Sequence, residues 1–123
     1  LRHLQHLAYH ANGSVRGMLA ITEEDVDWLS GRYDFYCEQV GDKIKQFVIP
    51  QGCLAALHLH EVRNDAKIVY RALHHAHKEE AVSELLFKFT GLLSNVACAM
   101  ALYVNQLNNV DEIPFHTKSY VLK

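Results

Sequence analysis

Apolar residues recur at three- and four-residue spacing along most of this chain. In residues 1–20, Leu4, Leu7, Ala8, Ala11, Val15, Met18 and Leu19 keep helical spacing, with Asn12-Gly13 weakening the middle. Thr22 followed by Glu23, Glu24 and Asp25 reads as an N-cap with acids in the first turn. The helix it opens is expected to reach about Val40, burying Val26, Leu29, Tyr33, Tyr36 and Cys37 in part, before Gly41-Asp42 stops it. Residues 43–52 read as a loop, 53–78 as a third helix and Lys78-Glu79-Glu80 as a turn. The fourth helix, about 81–108, is the most apolar, with Leu85, Leu86, Phe89, Leu92, Leu93, Val96, Ala97, Met100, Ala101, Val104 and Leu107. Its hydrophobic residues cover much of its circumference, which predicts the central, most buried position. Asn108-Asn109 ends it, and the tail to Lys123 reads as irregular. Four long helices with short joins predict an all-α bundle and one domain over residues 1–123. The chain opens with Leu1 rather than Met, so it is expected to be part of something longer.

The third helix carries the most informative pattern. On a helical projection Ala55, Leu59, Val62, Ala66, Val69 and Leu73 form one side, the expected core face. His60, Arg63, Lys67, Arg71 and His74 form a stripe about a third of a turn away. Arg63, Lys67 and Arg71 have no acid three or four residues from them. Each like-charged neighbour at that spacing costs about 0.2–0.5 kcal/mol in an isolated helix. The stripe therefore calls for something anionic from outside the helix: water and salt, an acid of another helix or subunit, or a bound phosphate. Guanidinium forks and an ammonium group suit a polyphosphate.

Composition narrows the function classes. A formal net charge of −2 argues against general nucleic-acid binding. Cys37, Cys53 and Cys98 are far apart and odd in number, which points to reduced thiols and a cytoplasmic setting. No continuous apolar run reaches a membrane span of about 18 residues, so no membrane partner is expected. His3, His6 and His10 share a helix face, yet no cysteine or acid completes a metal set. His74, His75 and His77 sit where imidazolium complements a helix C-terminus. The Glu-x-x-His pairs of di-iron bundles do not occur. On the fourth helix Lys88, Gly91 and Asn95 share a polar line, either a satisfied buried seam or a ligand-facing surface.

The stretch from 47 to 115 resembles the trimeric ATP:cob(I)alamin adenosyltransferases of the propanediol-utilisation type. Phe47-Val48-Ile49-Pro50-Gln51-Gly52 is similar to that family's Phe-led Pro-Gly-Gly segment. Leu59-His60 with Arg63, Lys67 and Arg71 is similar to its Leu-His and RxxxRRxxR helix. Gly91-Leu92-Leu93-Ser94-Asn95 stands where the family reads NRLSD, and Tyr103 where that pattern ends. The resemblance implies a helical bundle, a homotrimer, and transfer of adenosyl from ATP, with Mg2+, to a reduced cobalamin. It assigns Phe47 and Lys67 to catalysis, Phe47 standing beside the corrin ring to keep the lower axial ligand from cobalt. It implies that Arg63, Lys67 and Arg71 together serve the triphosphate and the subunit interface, Arg63 also forming an intersubunit ion pair, that Asn95 faces the nucleotide, and that Phe47 contacts the cofactor.

The chain departs from the pattern at several positions. Ile68 replaces the second arginine of the pair, Gly91 the asparagine, Leu92 the arginine and Asn95 the aspartate of NRLSD. The family's glycine-rich ATP loop is not among these 123 residues, and is expected upstream together with a fifth helix. These losses leave a second expectation: a corrinoid- or nucleotide-binding scaffold that keeps the bundle without the transfer chemistry.

Overall fold

A computed structural model describes residues 1–119 of the chain. Four helices follow one another: α1 Arg2–Arg16, α2 Glu23–Val40, α3 Leu54–His77 and α4 Glu84–Leu107. Thr22 starts α2 with a reciprocal cap. Its Oγ1 accepts from the Asp25 N–H at 3.2 Å, and its own N–H donates to Asp25 Oδ2 at 2.9 Å. Gly41 ends α2 at φ +62°, a left-handed backbone suited to glycine, and Gly41–Lys45 continues as a short 3-10 turn. Ser83 caps α4 by accepting from the Leu85 N–H at 3.2 Å, so α4 starts at Glu84 and not near residue 81.

Helix α1 stops at Arg16, short of the expected residue 20, where the Gly17 N–H closes onto the Gly13 carbonyl at 3.0 Å. Met18 and Leu19, read as part of the helical pattern, lie beyond the helix and are exposed. The 43–52 loop holds an isolated antiparallel bridge, Val48 to Pro114. Among the described residues there is no other pairing of extended backbone. The tail is irregular through Ser119; its remainder, 120–123, lies outside the described residues.

Helix α4 is the centre of the bundle, and α2 and α3 both pack along it. Phe89, Ala99, Ala101 and Asn105 are fully buried there, and Val96 and Leu102 nearly so. Leu7 and Ala11 of α1, Ile21, Val26 and Leu29 complete the main core with Leu73, Leu86 and Phe89. An 18-residue window of α4 has mean hydropathy 1.6, enough by length and composition to cross a membrane. Half of that window is buried inside the bundle, as expected for a central helix.

The expected core face of α3 is only half right. Ala66 and Leu73 are buried, but Ala55 is exposed, Val62 is 40% exposed and Val69 47%. The buried residues are Ala56, His60, Ala66 and Leu73, a line turned toward α4. Val62, Ala66 and Val69 instead line an apolar groove of about 330 Å³ between α1, α3 and α4.

Candidate functional site

The cationic stripe lies along the seam between α3 and α4. Its members sink or surface according to what α4 offers opposite them. His60 is 1% exposed, and neither ring nitrogen has a hydrogen-bond partner. Burial first, and then the charge of Arg63, pushes its pKa below the usual imidazole value, so it stays neutral. His60 is therefore a core residue and not a charge of the row. Its place in line with Arg63 on the projection misled because spacing gives direction around a helix and not depth.

Arg63 is half-buried. Its Nη1 lies 3.9 Å from Cys98 Sγ, its carbonyl accepts from Ser94 Oγ at 3.4 Å, and its Nε is buried without a partner. Tyr33 of α2 lies within electrostatic reach of Cys98. Burial, and next a hydrogen bond with Cys37, pushes its hydroxyl up to about 12, so it stays protonated.

One turn further on, the seam opens. Lys67, Tyr70 and Arg71 of α3 face Gly91, Ser94 and Asn95 of α4 across a groove of about 240 Å³. Gly91 leaves the room: a Cβ there would meet the Tyr70 ring at 3.6 Å. The ring is steadied edge-on by His74 at 4.6 Å and by Phe87 at 6.0 Å between centroids. Lys67 and Arg71 are exposed, and among the described residues neither has a carboxylate within 4.0 Å. No lining residue is acidic. The groove thus presents a concave wall with two unopposed cations, a hydroxyl and a carboxamide, which suits a polyanion. Lys88 is different: it reaches Glu84 at 4.0 Å on the exposed surface, so the polar line of α4 is no buried seam.

Phe47 stands elsewhere, at the end of the bundle where α3 begins. It is 37% exposed, and its carbonyl accepts from the Phe115 N–H at 2.8 Å. Cys53 and Lys67 are fourteen residues apart, about 20 Å along the helix axis. The described chain therefore presents two surfaces and not one pocket.

A family model for cobalamin adenosyltransferases matches residues 2–104, most of the chain. The chain belongs to the cobalamin adenosyltransferase family. A curated relative, the corrinoid adenosyltransferase of Bacillus subtilis (strain 168), is 25% identical over 125 residues, covering 98% of this chain and 64% of the relative. This cobalamin adenosyltransferase family member thus spans less than two thirds of that relative's length. Two solved structures of variant PduO-type ATP:corrinoid adenosyltransferases from Lactobacillus reuteri, each complexed with cobalamin and ATP, share its fold. One has a TM-score of 0.77 at 21% identity, covering 96% of this chain and 66% of the other. The second has 0.73 at 24%, covering 83% and 56%.

Against that family frame, the structure brings Lys67, Arg71 and Asn95 together, sets Arg63 beside them deeper in the seam, and holds Phe47 apart. Sequence reasoning missed Tyr70 and Ser94 as groove walls, although both follow from helical spacing beside Arg71 and Gly91. The three histidines of α1 do not form a centre. His3 packs edge-on against Trp28 at 4.4 Å, and no group of three metal-ligating side chains occurs among the described residues.

Proposed function

We propose that this chain is the helical core of an ATP:corrinoid adenosyltransferase. The observation that carries the proposal is the groove in which Lys67 and Arg71 lie unopposed by acid, facing Ser94 and Asn95. The triphosphate would lie along Lys67 and Arg71, and Asn95 would hydrogen-bond the nucleotide. Lys67 would stabilise charge developing on the leaving triphosphate as the reduced cobalt attacks the 5′ carbon. Phe47 would meet the corrin ring.

The groove offers no carboxylate, so the Mg2+ that accompanies ATP finds no ligand set among these residues. Arg63 fits assembly as a homotrimer: its guanidinium is only half-buried and pairs with no carboxylate among the described residues, so an acid of a neighbouring subunit would complete it. A trimer also fits the separation of Phe47 from Lys67, because a site between subunits can join two surfaces that one chain keeps apart.

The domain extends upstream in this reading. A fifth helix before Leu1 would cover the apolar groove along Val62, Ala66 and Val69, and the ATP loop would precede it. The free thiols Cys37, Cys53 and Cys98 fit a reducing, cytoplasmic setting.

A second reading, a corrinoid- or nucleotide-binding scaffold without transfer, draws on one observation. Ile68 is 55% exposed and Tyr70 lies over Gly91, so two positions that resemble family phosphate and nucleotide contacts present hydrocarbon. Incubation of the full-length protein with ATP and chemically reduced cobalamin separates the two. The adenosylcobalamin spectrum is expected to appear. Tight binding of both ligands with no spectral conversion would replace the enzyme by the scaffold.

A further inference from the structure

Asn105, near the C-terminus of α4, is 0% exposed, and its carboxamide is used on every side. Oδ1 accepts from the N–H of Cys53, the N-cap residue of α3, at 3.0 Å. Nδ2 donates to the Gln51 carbonyl at 3.0 Å and to Glu112 Oε2 at 3.0 Å. Its backbone carbonyl accepts from the Val110 N–H at 2.9 Å. Gly52 closes against this group with φ +117°, and a Cβ there would overlap the carboxamide. Glycine is needed on both counts.

Two segments run outward from that point side by side. Gln51 Nε2 donates to the Asp111 carbonyl at 3.0 Å, the Ile49 N–H to the Ile113 carbonyl at 2.9 Å, and the Phe115 N–H to the Phe47 carbonyl at 2.8 Å. The Val48–Pro114 bridge lies between them. So short a pair of extended segments is not stable by itself in water. It needs an anchor, and Asn105 is the buried group that both segments share. An alanine there would leave the Cys53 N–H, the Gln51 carbonyl and the Glu112 carboxylate without their partner.

We propose that Asn105 is a positioning residue for Phe47. One buried carboxamide fastens the Gln51–Cys53 turn and the Asp111–Phe115 strap to α4, and so fixes where the Phe47 ring stands. The clip follows from the geometry alone; its meeting with a corrin rests on the adenosyltransferase reading above.

The test uses the full-length protein with N105A, N105D, N105D/E112Q and F47A. Asn105→Asp keeps the acceptor for Cys53 but loses both donations and sets a second carboxylate against Glu112. Adding Glu112→Gln restores one bond with donor and acceptor exchanged. Amide hydrogen exchange is expected to quicken at least tenfold at Ile49 and Phe115 in N105A and N105D. It should quicken less at Leu73 and Phe89, which follow global stability, and be partly restored in the double variant. Titration with cob(II)alamin in the presence of ATP is then expected to move N105A in the direction of F47A: weaker binding, and less of the absorbance change that marks loss of the lower axial ligand. ATP affinity should hold within twofold.

Unchanged exchange at Ile49 and Phe115 overturns the proposal. So does a corrinoid response in N105A equal to wild type while F47A departs from it. If neither wild type nor F47A responds to cob(II)alamin, the adenosyltransferase reading falls, and exchange at the two amides alone decides the clip.

Discussion

The two ends of α3 treat polar groups in opposite ways. At its start, the buried carboxamide of Asn105 has partners for both its oxygen and its nitrogen, and Gly52 has no room for a side chain. Toward its end, Lys67 and Arg71 stand in an open groove with no carboxylate in reach among the described residues. A folded chain that only needed stability would gain nothing from the second arrangement, because unpaired like charges repel. The first end holds the architecture; the second, in the proposed function, is completed by the ligand's charge.

The comparison breaks most readily at the groove. Replacing Lys67 and Arg71 together with alanine removes two charge-assisted contacts, each worth about 1.5–3 kcal/mol. ATP affinity, measured by calorimetry, is expected to fall by at least about a hundredfold, while the urea midpoint hardly moves because both side chains are exposed. A midpoint that drops while binding persists would reverse the roles of the two ends.

Gly52→Ala should do the opposite. It forces a β-carbon into a left-handed backbone and against Asn105, with a cost of about 2–4 kcal/mol in urea unfolding. ATP affinity of the folded fraction is expected to be kept. Equal losses in both measurements would show the two ends to be one cooperative unit.

His60 gives a smaller, pH-dependent effect. Its folded pKa is lowered, so below the ordinary imidazole value of 6.5 the unfolded chain takes a proton that the folded one refuses. Stability is therefore lost as pH falls through that range, by at most about 1.4 kcal/mol per pH unit from this one group. His60→Leu is expected to flatten that slope in urea titrations at a series of pH values.

Glu112 has the reverse sign. Burial raises its pKa, although the Asn105 hydrogen bond and the Lys43 charge hold it back. The folded state keeps a proton that the unfolded state has released, so stability declines as pH rises through the carboxylate range. Glu112→Gln keeps an acceptor for Asn105 Nδ2 and should remove that small decline. An unchanged slope would mean that Glu112 shares the charge state of a solvated acid.

The groove was more legible than the clip, and the reason is range. Lys67 and Arg71 are four apart on one helix, and Gly91 and Asn95 four apart on another, so local periodicity aligns each pair. Asn105 meets Gln51 and Cys53 more than fifty positions away, and no spacing rule announces such a meeting. By sequence Gly52 marks the end of the 47–52 segment, whereas its packing reason is the side chain opposite. Four helices and the Thr22 and Gly41 boundaries followed from caps and stops. The side of α3 that faces inward did not, because Val62 and Val69 are apolar yet border the open groove along α1.

Helix α4 carries Asn95 in the groove and Asn105 in the clip on one uninterrupted rod. Ten residues separate them, so their spacing and relative bearing are set by backbone geometry. Inserting a single residue between them would rotate one by about 100° against the other and lengthen the gap by about 1.5 Å. Length changes in descendants of this gene should therefore be purged from 95–105, while the turn at 78–83 absorbs them freely.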